Sequence, residues 1–448
     1  MFILKESKLI ISVIGAGVLG LAYAASFARG GHQVYCTDMD EEIVNAVKEG
    51  ELPGYESGLE RVVAEAEATG NLEFTGHLRK VIKEAEVIFI TCEVPEDDEH
   101  MPSLRFVRAI AQSIGSQMEE PKIVVLKSSV PPGSSVVIEE TIQKALDERE
   151  ADIHFDVVSS PSFAKAGSFL KDIERPRFVA IGADNEEARE KVRNLYRETG
   201  IVMNKIIDAS PAEVEMADYA ISGLVAVKTA FINELAMLCE KLDIDVDMTT
   251  RIMGKDSRIS PQLMDPGPGY GGSILPKTAR AMVRIAEEAD ETAEVLKGAI
   301  TANECQKQKC VAKIENIMDG VGGKTIGILG LSPDFGTDDL REAPSLDIIR
   351  CLVEKEASLR IYNPDGYQQA KWRLFKEKDA ITFCDDIYEA AENADALVVL
   401  TKWPNTRATD ENQLKEKMKG DILIDLQNLF VKRKEVKQLF KYYGLGMH

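Results

Sequence analysis

Apolar residues arrive in short runs separated by polar, helix-spaced stretches along most of this 448-residue chain. Residues 8–14, "KLIISVI", form such a run and end in "GAGVLG", after which "LAYAASFARGG" has helical spacing. "HQVYCTD" follows as a second strand, and a polar helix begins near Asp40. Further runs at "EVIFITC", "KIVVLKSS", "FDVVSS" and "RFVAIG" continue the alternation through the first two hundred residues. Strands this apolar, alternating with helices, predict a parallel sheet covered on both faces.

The texture changes at Ser210. "SPAEVEMADYAISGLVAVKTAFINELAMLCEKL" places apolar residues three and four apart with no proline after Pro211. Ser210 suits the N-cap, Pro211 the first turn, and Glu213 brings acidic charge there. A helix of about 33 residues would be about 50 Å long, a length suited to joining domains. Helices are expected next at about 245–254, 277–288 and 291–318. After "GVGGK" the α/β texture resumes with "TIGILGLS", "SLRIYNP", "ALVVLTKW" and "ILIDLQN". The expected fold class is α/β, with domains at 1–209, 210–319 and 320–448, the middle one helical.

Composition narrows the function. A hydrophobic content of 44% and a charged content of 29% are ordinary for a globular protein. No run of eighteen apolar residues occurs, so no membrane span is expected, and "MFILKESKLIISVIGAG" reads as a first strand, not a signal peptide. A net charge of -21 argues against nucleic acid as a partner. Seven scattered cysteines without a CxxC pair are expected to be free thiols in a reducing cytoplasm. The histidines at 32, 77, 100, 154 and 448 lack metal-ligand company, so no metal is expected.

Gly15, Gly17 and Gly20 spell G-x-G-x-x-G between a strand and a helix. The first glycine permits the tight turn, the second lets a pyrophosphate approach, and the third lets helix pack on strand. The helix-start amides, at Val18 and Leu19, would face the phosphates. Asp38 closes the second strand, placed to accept from the adenosine ribose hydroxyls. Met39 follows it, not arginine, so a 2′-phosphate would meet an uncompensated carboxylate and NAD is expected over NADP. "GILGLS" lacks this fingerprint, so the second α/β domain is not expected to bind NAD.

Together these features resemble the UDP-glucose/GDP-mannose dehydrogenase family along nearly the whole chain. "PGYESGL" (53–59) is similar to the family's P-x-Y-E-P-G-L, and "LKSSVPPGSS" (126–135) to K-S-T-V-P-x-G-T. "FINELAMLCEKL", "GKDSRI" and "GLSPDFGTDDLREAPS" resemble its long-helix, G-x-D-x-R-I and C-terminal signatures, and "ALVVLTKW" another C-terminal segment. The resemblance implies two Rossmann-like domains joined by a helical region that forms a homodimer. It also implies NAD bound through Gly15, Gly17, Val18, Leu19, Gly20, Asp38, Pro95 and Ser129. Typical members oxidise a nucleotide sugar's C6 hydroxyl to a carboxylate with two NAD, through a thiohemiacetal on a cysteine.

In "GPGYGGSILPKTAR" the position of that cysteine holds Ile274, and the motif's closing aspartate is Thr278. The glutamates of the N-P-E-F loop correspond to Ser162 and Ala166, and its asparagine to Ser160. The long helix's lysine and asparagine correspond to Asp218 and Ser222. In the C-terminal domain the family's lysine corresponds to Asp334 and the arginine of D-G-R-N to Gln427. An isoleucine cannot form a thiohemiacetal, so the four-electron oxidation by that route is excluded.

Two functions stay open: an NAD-dependent oxidoreductase making one two-electron change to a small molecule other than UDP-glucose, or a non-catalytic NAD-binding member that regulates or scaffolds a partner. For the first, the candidate catalytic residues are Asp218, Lys277 and Ser129. Lys277 is alternatively a surface or phosphate-facing lysine, and Ser129 a turn cap. Candidate substrate residues are Arg258, Ser162, Ser222, Gly271, Ile274, Asp334 and Arg341, with Arg258 alternatively in a structural ion pair.

Overall fold

The computed structural model describes residues 8–97, 101–165, 167–364, 368–402 and 409–447. Ala166, His100, His448 and Trp403 lie outside the described residues. The chain divides into two compact units, residues 1–221 and 222–448. The division falls inside the helix Pro211–Leu242.

The first unit is built on eight strands: β1 (Ile10–Ile14), β2 (Gln33–Thr37), β3 (Leu72–Phe74), β4 (Val87–Ile90), β5 (Lys122–Leu126), β6 (Phe155–Ser159), β7 (Val179–Gly182) and β8 (Ile206–Ala209). They form one sheet in the order β3-β2-β1-β4-β5-β6-β7-β8. All neighbours are parallel except β6 and β7. The inner strands read as unbroken apolar runs because both faces are buried. Val13, Phe89 and Val125 pack into one cluster with Phe27 and Tyr196, while Ile14, Ile90 and Leu126 pack into the opposite cluster with Ile110 and Ile138. Successive residues of a strand thus serve opposite faces, as the two-residue period requires.

The second unit repeats the plan with β9 (Thr325–Leu329), β10 (Ser358–Tyr362), β11 (Ile381–Phe383), β12 (Ala396–Val399), β13 (Ile422–Asp425) and β14 (Lys441–Gly444). Their order is β11-β10-β9-β12-β13-β14, parallel throughout. Both sheets reverse direction beside their first strand, the place where doubly wound sheets open a crevice at the carboxyl ends of the strands. The fold is α/β with two Rossmann-like sheets and a helical region in the middle of the chain, as expected.

Four strands escape the sequence reading: β3, β8, β11 and β14. All four are sheet edges. An edge strand is covered on one side only; β3, "LEF", alternates buried, exposed, buried. The apolar run that marks a central strand is therefore absent there.

The expected helices form at Pro211–Leu242, Val246–Met253, Leu275–Glu288 and Glu294–Met318. Ser210 and Glu213 cap the first of these reciprocally, since the Ser210 N–H donates to Glu213 Oε2 at 2.8 Å. With a mean hydropathy of 1.5 in its most apolar window, Pro211–Leu242 is long and apolar enough to cross a membrane. The test of an unbroken apolar run missed this because charged residues interrupt the helix. Those charges tie its start into the first unit: buried Glu215 accepts from the Gly133 and Ser135 N–H groups at 2.6 and 2.9 Å. It thereby caps the helix Ser134–Asp147, whose Gly133 N-cap has no side chain to offer.

Candidate functional site

The glycine turn follows β1 and opens the helix Val18–Arg29. At Gly15, with φ +120°, an added Cβ would lie 2.6 Å from the Cys92 nitrogen. At Gly20 it would lie 1.8 Å from the Gly15 carbonyl oxygen. A Cβ at Gly17 would meet nothing within 4 Å. The outer two glycines are thus required by the turn itself, and the middle one faces open space where a phosphate can approach. Val18 and Leu19 are half-buried against the core, and the amides of this first turn have no intrahelical acceptor. No acidic side chain stands in that turn to repel an anion.

Asp38, at the end of β2, accepts from the Ala16 N–H at 2.7 Å and the Asp40 N–H at 3.0 Å. These bonds fix its carboxylate beside the glycine turn, and half-exposure leaves lone pairs for a diol. Met39 beside it is exposed, so no cation follows the carboxylate. At the end of β4, Thr91 donates to the Ile14 and Gly15 carbonyls, which locks the turn to the next strand. Pro95, half-buried, accepts from the Ser103 N–H through its carbonyl at 2.7 Å. The groups present fit a dinucleotide with a free 2′-hydroxyl.

One strand further on, the end of β5 carries Lys127, Ser128 and Ser129. Ser129 Oγ donates to Asp218 Oδ2 at 2.5 Å, and Asp218 is only 7% exposed. Lys127 is 1% exposed. Its Nζ donates to Tyr196 Oη at 3.0 Å and to the Pro161 carbonyl at 3.3 Å, with Ser160 Oγ at 3.5 Å. The same ammonium lies 4.5 Å from the centre of the Tyr23 ring. Burial pulls its pKa down to about 7, against the upward pull of Asp218. Sequence reasoning missed Lys127. The available signal was a lysine closing a fully apolar strand run, where the chain is still inside the protein.

The loop after β6 joins this cluster. Ser162 Oγ accepts from the Tyr23 hydroxyl at 3.4 Å, and the Ser162 N–H donates to the Lys127 carbonyl at 3.3 Å. Glu56, from "PGYESGL", accepts from the Gly167 N–H at 3.0 Å and holds the far end of the loop. Burial raises the Glu56 carboxyl to about 7 despite further amides of Phe169 and Leu170.

In the second unit the loop from Gly267 to Ile274 is tightly held. Asn233 Oδ1 accepts from the Gly267 N–H at 2.8 Å, and Gln306 donates to the Gly267 carbonyl at 2.9 Å. Asn303 bonds both backbone groups of Tyr270. A Cβ at Gly271 would lie 2.4 Å from the Glu342 carbonyl oxygen. Ile274, half-buried, starts the helix Leu275–Glu288, and its carbonyl accepts from the Thr278 hydroxyl at 2.8 Å. The aspartate position has thereby become part of a helix turn.

The remaining candidates take varied positions. Lys277 is 8% exposed, so the surface reading of it is wrong; the helix carries it inward. Arg258 is exposed and paired with Asp256 at 2.6 Å, within two residues of chain, which is the ion-pair alternative. Arg341 is engaged with Asp339 at 2.8 Å. Asp334 and Ser222 are half-buried. The described cysteines are all free, and no group of three metal-ligating side chains occurs among the described residues.

Comparison with known proteins agrees with this geometry. Three domain models of the UDP-glucose/GDP-mannose dehydrogenase family match the chain: the NAD binding domain at 9–200, the central domain at 212–305 and the UDP binding domain at 327–432. UDP-glucose 6-dehydrogenase of Rhizobium meliloti is 34% identical over 97% of this chain and 99% of its own length. The enzyme of that name from Pseudomonas aeruginosa is 35% identical over 97% of each chain. Among solved structures, a UDP-glucose dehydrogenase from Pyrobaculum islandicum superposes with a TM-score of 0.89 at 27% identity, covering 100% of both chains. NAD is the cofactor of this chain.

Proposed function

Because this chain belongs to the UDP-glucose/GDP-mannose dehydrogenase family, we propose that it uses NAD for one two-electron step on a substrate other than UDP-glucose. The Ser129–Asp218 pair carries this reading. Drift at a former lysine position would leave an aspartate in solvent or a buried charge without partners. Asp218 is instead buried, bonded to Ser129 and within electrostatic reach of Lys127. The hydride would pass to or from NAD held at the glycine turn and Asp38. The chain's own part is the proton: the Ser129 hydroxyl, already donating to Asp218, offers a path from a substrate alcohol or amine to a carboxylate. Ile274 supplies no nucleophile for a second oxidation.

Charge indicates the substrate class. Asp218 and Asp334 each stand where the resembled motifs have a lysine. At about 4 Å and an effective dielectric near 20, each unit pair amounts to roughly 4 kcal/mol before screening. A neutral or amine-bearing substrate is favoured over a nucleoside diphosphate. The substitutions at Ser162, Ser222, Ile274 and Thr278 support a second reading, an inactive NAD-binding regulator or scaffold. A screen of small alcohols, amines and nucleotide sugars for reduced cofactor separates the two. Turnover that falls about 100-fold or more in Asp218→Asn supports the first. Turnover unchanged by that substitution removes Asp218 from the chemistry, and silence across the screen favours the regulator.

Calorimetry is expected to show tighter binding of NAD than NADP. Asp38→Ala weakens NAD by about 1–3 kcal/mol, the scale of leaving polar partners unmatched. Equal binding of the two cofactors contradicts the role given to Asp38.

The long helix also supports a homodimer. Leu224, Phe231 and Leu238 recur every seven residues and are each more than half exposed, at 69%, 52% and 54%. Such a stripe on one helix is the kind of surface that a second helix covers. Light scattering at micromolar concentration should give twice the chain mass, and Phe231→Asp should give a monomer. A wild-type monomer ends the claim.

A further inference from the structure

Lys127 draws together parts of the first unit that are remote in sequence, and the proton path proposed above does not use it. Tyr196 reaches it from the helix Glu186–Glu198, Tyr23 from the helix Val18–Arg29, Ser160 and Pro161 from the loop after β6, and Asp218 acts on it from the long helix. Its backbone carbonyl accepts from the Ser162 N–H, so side chain and main chain hold the same loop. Two residues on, Ser129 makes the bond to Asp218. We infer that Lys127 is the positioning residue of this site, fixing the loop after β6 against the end of β5 and coupling by charge to the Asp218–Ser129 pair.

The inference rests on the reading that Asp218 and Ser129 are the working pair, but its physical core stands apart from turnover. A lysine serving only to fill the core would be replaceable by an apolar side chain of its own shape, since a buried charge is costly unless matched. This one keeps its amine against three oxygens and a tyrosine ring face. Among the described residues, the titratable and charged groups that bear on it are Tyr23, Tyr196 and Asp218. Both phenols stay protonated near neutral pH: burial raises Tyr23 to about 12 and holds Tyr196 well above the ordinary tyrosine value. Asp218 is then the one charge in this set that can move the lysine.

The test uses the full-length protein with isotope-labelled lysine, following the side-chain carbon next to each amine by NMR as pH is varied. One lysine is expected to titrate near neutral pH, to vanish from the spectrum in Lys127→Met, and to move to lower pH by about one unit in Asp218→Asn. Where Lys127→Met fails to fold, Asp218→Asn alone carries the test, because it leaves Lys127 in place. A midpoint unmoved by Asp218→Asn overturns the coupling. On any substrate found by the screen, Lys127→Met should lower kcat with little change in the KM for NAD, and Lys127→Arg should recover part of the loss; equal kcat in all three proteins overturns the positioning role. Coupling seen by NMR with no turnover on any substrate defeats the redox reading and leaves the coupling intact.

Discussion

Gly20→Ala is expected to abolish NAD binding and to destabilise the N-terminal unit by about 3 kcal/mol, the upper range for forcing extra volume into a packed site. The new Cβ would sit 1.8 Å from the Gly15 carbonyl oxygen and 2.7 Å from Thr91 Oγ1. Neither neighbour can retreat: the Gly15 carbonyl is part of the turn, and Thr91 donates to it at 2.8 Å. Gly17→Ala is the counterpart. Its Cβ meets no atom within 4 Å, so the melting temperature should hardly change. NAD affinity should still fall about tenfold or more, equivalent to roughly 1.4 kcal/mol, because the methyl group occupies the approach of the pyrophosphate. Thermal melts and calorimetric titrations of both variants separate the two roles. A Gly17→Ala variant with wild-type affinity would place the phosphates elsewhere.

Lys127→Met should change how stability depends on pH. Burial lowers the folded-state pKa of Lys127 from 10.5 to about 7. Between those values the unfolded chain binds a proton that the folded chain does not, so stability rises with pH across the window. The slope from this group approaches about 1.4 kcal/mol per pH unit. Below about 7 both states are protonated and the contribution is flat; above 10.5 both are neutral and it is flat again. Methionine carries no proton, so the variant loses this slope and gains relative stability towards the acid side. Urea midpoints for both proteins at several pH values from neutral to alkaline give the comparison directly. Parallel curves would mean that Lys127 is not held near neutrality.

What was legible in the sequence follows from what a linear pattern can carry. The inner strands were visible because burial on both faces demands an unbroken apolar run, as in β4, "VIFI". The edge strands β3, β8, β11 and β14 were not, because half of each answers to solvent. The glycine turn and Asp38 were legible because a dinucleotide turn fixes residue types at set spacings. Ser129 and Asp218 were named from resemblance, but not the 2.5 Å bond between them. Lys127 carried one signal, a lysine closing an apolar run, but its partners at positions 23, 160, 196 and 218 are brought together only by the fold. Glu215 was hidden likewise: on a long helix it is one acid among several, and its task depends on a helix start eighty residues away. For Lys277, a catalytic candidate, the surface alternative stayed open because a lysine in a first helical turn gives no sign of which way the helix faces.

The proposed function requires the chain to keep its family's cofactor site and, with Ile274 in place of a cysteine, to lack the cysteine-dependent double oxidation. The direct measurement mixes the purified protein with NAD and UDP-glucose and counts cofactor reduced per sugar consumed, with the sugar product identified by mass. The expected result is NAD binding with no reduced cofactor from UDP-glucose, and one reduced cofactor per molecule of whichever substrate the screen yields. Two reduced cofactors per UDP-glucose, with the sugar recovered as its carboxylate, would contradict it.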